Sequence, residues 1–169
     1  MESPAGTKAI APESGRRSHD RWLAAIACGG LTAGVLDGTA ASLFYGVSAQ
    51  RIFQSVASGV LGRSAFDGGW PAAALGIALH FLIAILAAAT FVGASRLLPV
   101  LVRYPWITGP AFGIAVYFFM QHVVVPLSLA SQAPFSFGRL AKGLAIHVAC
   151  VGLPIALSAR YWAPQSARD

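Results

Sequence analysis

The chain has 169 residues, of which 56% are hydrophobic and 11% charged, with a formal net charge of +6 and a mean hydropathy of +0.66. That is too apolar for an ordinary soluble domain of this length and points to an integral membrane protein. The basic residues gather at the ends of apolar runs and form no aromatic-interleaved patch, so the charge reads as membrane orientation and excludes a nucleic-acid surface.

Residues 1–21 are rich in Pro, Gly, Ser and charge, and bury too little apolar surface to offset the entropy of ordering; a disordered cytoplasmic tail is expected. Arg16-Arg17 and the AIAC at 25–28 faintly resemble export and lipoprotein signals. The apolar character runs on past Cys28 to Tyr45, longer than a signal core, which favours an uncleaved first helix. Four apolar runs follow, at 22–46, 70–95, 105–128 and 139–160, each long enough for a hydrocarbon core that needs roughly 20 helical residues. Backbone groups in lipid must be satisfied internally, so the fold class is all-α: a polytopic four-transmembrane-helix bundle over 22–160, with a cytoplasmic C-terminal tail at 161–169.

Trp22, Tyr45, Trp70, Tyr104, Trp106, Tyr161 and Trp162 lie at run ends, where amphipathic rings favour the interface. The N-tail, second connection and C-tail carry eight Lys and Arg against four on the other side (Arg51, Arg63, Arg139, Lys142), which places both termini in the cytoplasm of a bacterial inner membrane. Between the first two spans, Ile52, Phe53, Val56 and Val60 recur at helical spacing with Arg51, Gln54, Ser55 and Ser58 on other faces, predicting a short interfacial or re-entrant helix at 49–62. Cys28 and Cys150 fall inside apolar runs and read as packed thiols.

Each span carries one residue able to ionise or ligate: Asp37, His80, His122 and His147. At about 1.5 Å per residue they lie roughly 13, 15, 9 and 12 Å below the outer ends of their runs, a common level in the outer half of the bilayer. Small residues one turn away orient them toward helix–helix contacts: His80 shares a face with Gly76 and Ala84, and His147 with Gly143 and Cys150. Gly30, Gly34, Gly38 and Ser42 are spaced by four, and Gly109 with Gly113 repeats the pattern, so these glycines are assigned to helix packing. Pro126 and Pro154 withhold an N–H from the carbonyls of His122 and Cys150. The segments GIALH (76–80) and GLAIH (143–147) repeat one Gly-to-His spacing, as a duplicated two-helix hairpin would.

Asp near a helix centre costs about 2.5 to 3.5 kcal/mol on insertion scales, whereas Leu, Ile, Phe or Val contribute about −0.3 to −0.6 each. Leu23, Ile26, Leu31, Val35, Leu36, Leu43 and Phe44 roughly cancel Asp37 and do little more, so the first helix needs a partner for it: a histidine, Tyr117 or a buried water.

The third and fourth spans combine G-x3-G, His122, VVVPL, a proline-bearing outer loop and Gly143 to His147. This pattern resembles YagU-type bacterial inner-membrane proteins, a family of unknown function, and more closely small four-helix proteins with ASGVLG and ALHFLIA segments, here 57–62 and 78–84. The resemblance implies fold and location; by it His80, His122, Pro126, Leu127 and His147 match family-like positions, while Asp37 has no clear counterpart.

Two function classes follow. In the first, Asp37 with His80, His147 and His122 forms a buried polar site for proton relay or for a transition metal, since imidazole and carboxylate suit both. In the second, the chain is a structural or interaction subunit whose polar residues only fix helix packing, with lipid, a second copy or a membrane-complex partner around it. A small transporter is a third reading and implies an oligomer. HExxH, CxxC, paired carboxylates and GxSxG are lacking, so enzyme chemistry is not expected.

Overall fold

The computed structural model describes residues 13–132 and 134–163, with side chains from residue 19 onward. Among these residues all regular structure is helical. Helix α1 (Glu13–Tyr45) is followed by α2 (Ala49–Leu61), a single-turn stretch at Gly62–Phe66, α3 (Gly69–Leu97), the short α4 (Val100–Arg103) and α5 (Pro105–Phe119). A wide π-turn, Met120–Val124, ends α5; α6 (Phe137–Ile146), a second π-turn at His147–Gly152 and α7 (Leu153–Trp162) form one continuous rod. Four segments, His19–Tyr45, Gly69–Leu97, Pro105–Val124 and Phe137–Trp162, are long and apolar enough to cross a membrane.

Two boundaries differ from the sequence expectation. The first helix begins at Glu13 and not at 22, because extending a helix already nucleated costs little per residue, and Arg21 is fixed by donating to the Trp162 and Ala163 carbonyls at 3.0 and 3.1 Å. The third span stops at Val124, four residues early: ahead of Pro126 the Val125 N–H reaches back five residues to Met120 at 2.8 Å, and the helix unwinds into the loop. The tail expectations for residues 1–12 and beyond Ala163 lie outside the described residues.

Small residues set the helix contacts. A Cβ on Gly30 would sit 2.8 Å from Ile85 Cα, and one on Gly34 2.7 Å from the Phe81 ring, so α1 and α3 lie backbone to backbone. Gly109, Gly113 and Gly152 do the same for α5 and the α6–α7 rod: Gly113 faces the His147 carbonyl, and Gly152 faces the Gly109 carbonyl. Ser158 Oγ donates to the Ala25 carbonyl at 3.0 Å, joining α7 to α1. The core between these contacts is built of Ala25, Ala33, Ala88, Phe91, Val92, Val102, Val151, Ile155, Ala156 and Ala159.

The bundle has two different ends. Arg21, Arg96, Arg103 and Arg160 gather at one, where Arg160 donates to the carbonyls of Val102 and Arg103 at 2.9 and 2.8 Å and Arg96 lies over the Trp22 ring. At the other, Lys142 donates to the Phe44 carbonyl at 3.0 Å, closing the C-terminus of α1 against α6.

Helix α2 sits at this second end, tucked into the bundle. Its Phe53 carbonyl rests on Gly76, two turns inside α3, where no side chain could fit. The apolar face is not the one that packs: Gln54 and Ser58, placed on other faces from Ile52, Phe53, Val56 and Val60, are buried with Ala57, while Val60 is exposed. The reason is local: Gln54 Nε2 donates to the Gly69 carbonyl at 3.1 Å, Ser58 Oγ to Ser55 at 2.7 Å, and their small or satisfied side chains permit the close crossing. Gly76→Val should force α2 off α3 and destabilise the bundle by about 2 kcal/mol or more; thermal unfolding in detergent would show a lowered midpoint, and an unchanged one would refute the assigned contact.

Candidate functional site

Asp37 lies two turns from the end of α1, at the edge of the alanine-rich core. His80 from α3 and His147 from the start of the second π-turn converge on it. His80 Nε2 stands 3.9 Å from one carboxylate oxygen and His147 Nδ1 4.0 Å from the other. The three side chains are 19%, 13% and 21% exposed, respectively. Both separations exceed a hydrogen bond and remain within ion-pair range.

Each imidazole is oriented by a different bond. His80 Nε2 donates across the helix interface to the Gly34 carbonyl at 2.8 Å, and its ring is held edge-on between Phe53 and Phe81, with centroids 5.5 and 5.6 Å away. His147 Nδ1 donates within its own rod to the Gly143 carbonyl at 2.9 Å, and Tyr117 packs edge-on against it at 5.4 Å. A carbonyl only accepts, so in each ring the nitrogen nearest Asp37 carries a hydrogen. The two Gly-to-His segments therefore share spacing and not behaviour: Gly76 receives the Phe53 carbonyl, and Gly143 receives the Tyr117 ring.

His122 is not brought to this cluster. Its Nδ1 donates to the Phe118 carbonyl at 3.0 Å, and the exposed ring lines a separate cavity of about 530 Å³ with Tyr45, Tyr117, Gln121 and Arg139. It sits in the first π-turn and lines a different cavity from the other three. The Asp37 group lines its own cavity of about 200 Å³, with Gln121, Val56 and Met120 among its walls. Gln121 borders both cavities and connects the polar centre to the Lys142 end of the bundle.

Sequence reasoning passed over Gln121 and Gly152, and gave Phe53 only a place on the apolar face of α2 and not its contact with His80. Gln121 carried a usable signal, an amide inside an apolar span beside His122; the other two depend on how helices cross. The transition-metal option is not supported by the geometry. Among the described residues no three His, Cys, Asp or Glu side chains are disposed to hold a metal ion, and the imidazole nitrogens facing Asp37 are occupied as donors.

The chain matches no protein-family model, and no curated protein or solved structure matches it at a significant level.

The carboxylate accepts no hydrogen bond from the described protein groups, its nearest N–H donors being those at 3.9 and 4.0 Å. A residue kept for packing would be better replaced by an apolar one. Asp37→Leu is accordingly expected to raise stability, by about 3 kcal/mol on the insertion scales; thermal melting in detergent checks this, and a lowered midpoint would make Asp37 a structural tie.

Proposed function

We propose that the chain is a bacterial inner-membrane protein whose Asp37, His80 and His147 form a proton-handling site in the outer half of the bilayer. One observation carries this reading: a carboxylate and two imidazoles, from three separate membrane-length segments, meet within 4.0 Å along the wall of one cavity. Ionisable groups at membrane depth are costly and mark proton or ion pathways when they face a cavity. Imidazole exchanges protons near neutral pH. A proton added to either ring lies about 4 Å from the carboxylate, a Coulomb attraction of about 4 kcal/mol at an effective dielectric constant of 20, before desolvation is counted.

The cavity volume supports the same reading, because a water occupies on the order of 15 Å³ by this measure and the site has room for several, with Asp37, the imidazoles and Gln121 as partners. The gathering of Arg21, Arg96, Arg103 and Arg160 at the opposite end supports a cytoplasmic placement of that end and an outward-facing site. The resemblance to YagU-type proteins supports the same location and adds no mechanism. The structural-subunit reading draws on the His80 to Gly34 bond, which ties α3 to α1; the melting behaviour of Asp37→Leu separates the two.

The test is proton flux into liposomes holding the protein and an internal pH dye, driven by a potassium diffusion potential. Wild type should acidify the lumen faster than empty liposomes, Asp37→Asn should lose about tenfold of that rate or more, and Cys28→Ser should retain it. Flux equal to that of empty liposomes, or untouched by Asp37→Asn, would overturn the proposal.

A further inference from the structure

The Asp37 cavity adjoins a second, apolar one. Its walls Ile83, Ala87, Val116 and Met120 also line a second, apolar groove of about 400 Å³ between α3 and α5. These two helices are joined toward the arginine end by the edge-on pair Phe91 and Phe112, with centroids 5.0 Å apart. From that pair the groove runs between Leu86 and Thr90 on one side and Phe119 and Val124 on the other. Leu86 and Phe119 are 56% and 57% exposed, on the surface that meets acyl chains in a membrane-spanning bundle. The groove thus lies between the lipid-facing surface and the polar centre, with Ile83, Ala87, Val116 and Met120 as the boundary it shares with the Asp37 cavity.

The permanent cations among the described residues stay away from this route. No Lys or Arg lines the cavity or the groove; the ionisable groups are Asp37, His80 and His147. Both imidazole hydrogens nearest Asp37 are committed to the Gly34 and Gly143 carbonyls, so the carboxylate lacks a direct protein donor among the described residues. A carboxylate in apolar surroundings is stabilised most by an opposite charge brought within a few ångströms. An anionic ligand would meet the same carboxylate as repulsion, and a neutral one would leave it unpaired.

We propose that this combined site binds a lipophilic monocation: an amphiphile whose ammonium or similar head pairs with Asp37 while its hydrocarbon part occupies the α3–α5 groove. The groove lies within the size range of small-ligand sites, and it is apolar where a tail would lie and anionic where a head would stop. The inference builds on the reading of Asp37 as a functional polar site, and gives that site a ligand besides the proton.

Decyltrimethylammonium is a suitable probe and decyl sulfate its control of opposite charge with the same tail. Binding is measured by titration calorimetry to the protein in phosphatidylcholine nanodiscs, with empty nanodiscs subtracted. Wild type should bind the cation and not the sulfate, and Asp37→Asn should weaken cation binding about tenfold or more. Ala87→Trp, which fills the boundary between cavity and groove and leaves the carboxylate, should weaken it to a similar degree, with circular dichroism showing that both variants stay folded. No saturable cation binding by folded wild type, equal binding of decyl sulfate, or cation binding that survives in folded Asp37→Asn or Ala87→Trp would overturn the inference. Proton flux without added cation is read separately, so flux with no cation binding defeats this inference alone, and cation binding with no flux defeats only the proton reading.

Discussion

The architecture turns on the cost of one carboxylate in hydrocarbon. Asp37 nearly cancels the favourable insertion of its own helix, so α1 must settle where that charge finds compensating groups. The bundle meets this condition by close backbone approach. Gly30 and Gly34 bring α1 onto α3 so tightly that His80 reaches the Gly34 carbonyl, which fixes the imidazole one turn from the acid. On the other side, Gly113 and Gly152 admit the π-turn that carries His147. Larger residues at these crossings would move the helix axes apart and leave the imidazoles beyond Coulomb range.

The two π-turns have a common origin and different effects. Each precedes a proline, Pro126 or Pro154, whose missing N–H breaks the α-helical ladder, and each takes up the break by reaching one residue further back. One extra residue in a turn rotates the following helix face. In the α6–α7 rod, His147 heads the turn and faces Asp37, and the helix resumes with Ile155 and Ala156 in the core. In α5 the same device presents Gln121 toward the polar centre and carries His122 round to the outer cavity.

That rotation explains what was legible in the sequence and what was not. Apolar run length gave the four membrane-length segments, because a hydrocarbon core demands it whatever the packing. Counting residues from each run end gave the heights of Asp37, His80 and His147 well enough to group them, and the four-residue glycine spacing pointed to close crossings. A height is not a direction, however: His122 was grouped by depth, and only the turn geometry shows that it faces elsewhere. Helix α2 shows the same difficulty in another form. Its periodicity set Gln54 off the apolar face, yet Gln54 is buried with its amide donating to the Gly69 carbonyl, a partner that a periodicity count does not see.

The open side of the bundle has a physical cause in the distribution of small residues. Glycine contacts bind α1 to α3 and α5 to the α6–α7 rod, but the α3 and α5 surfaces that face each other beyond Phe91 and Phe112 carry Leu86, Phe119 and Met120. Bulky side chains hold helix axes apart, and a groove lies between these two rods. That groove adjoins the Asp37 cavity through Ile83, Ala87, Val116 and Met120. A fully packed quartet would have made a more stable bundle and shut the acid away from both lipid and water. With no glycine contact drawing α3 onto α5, the apolar groove and the costly carboxylate lie side by side, the pairing that an amphiphilic cation would use.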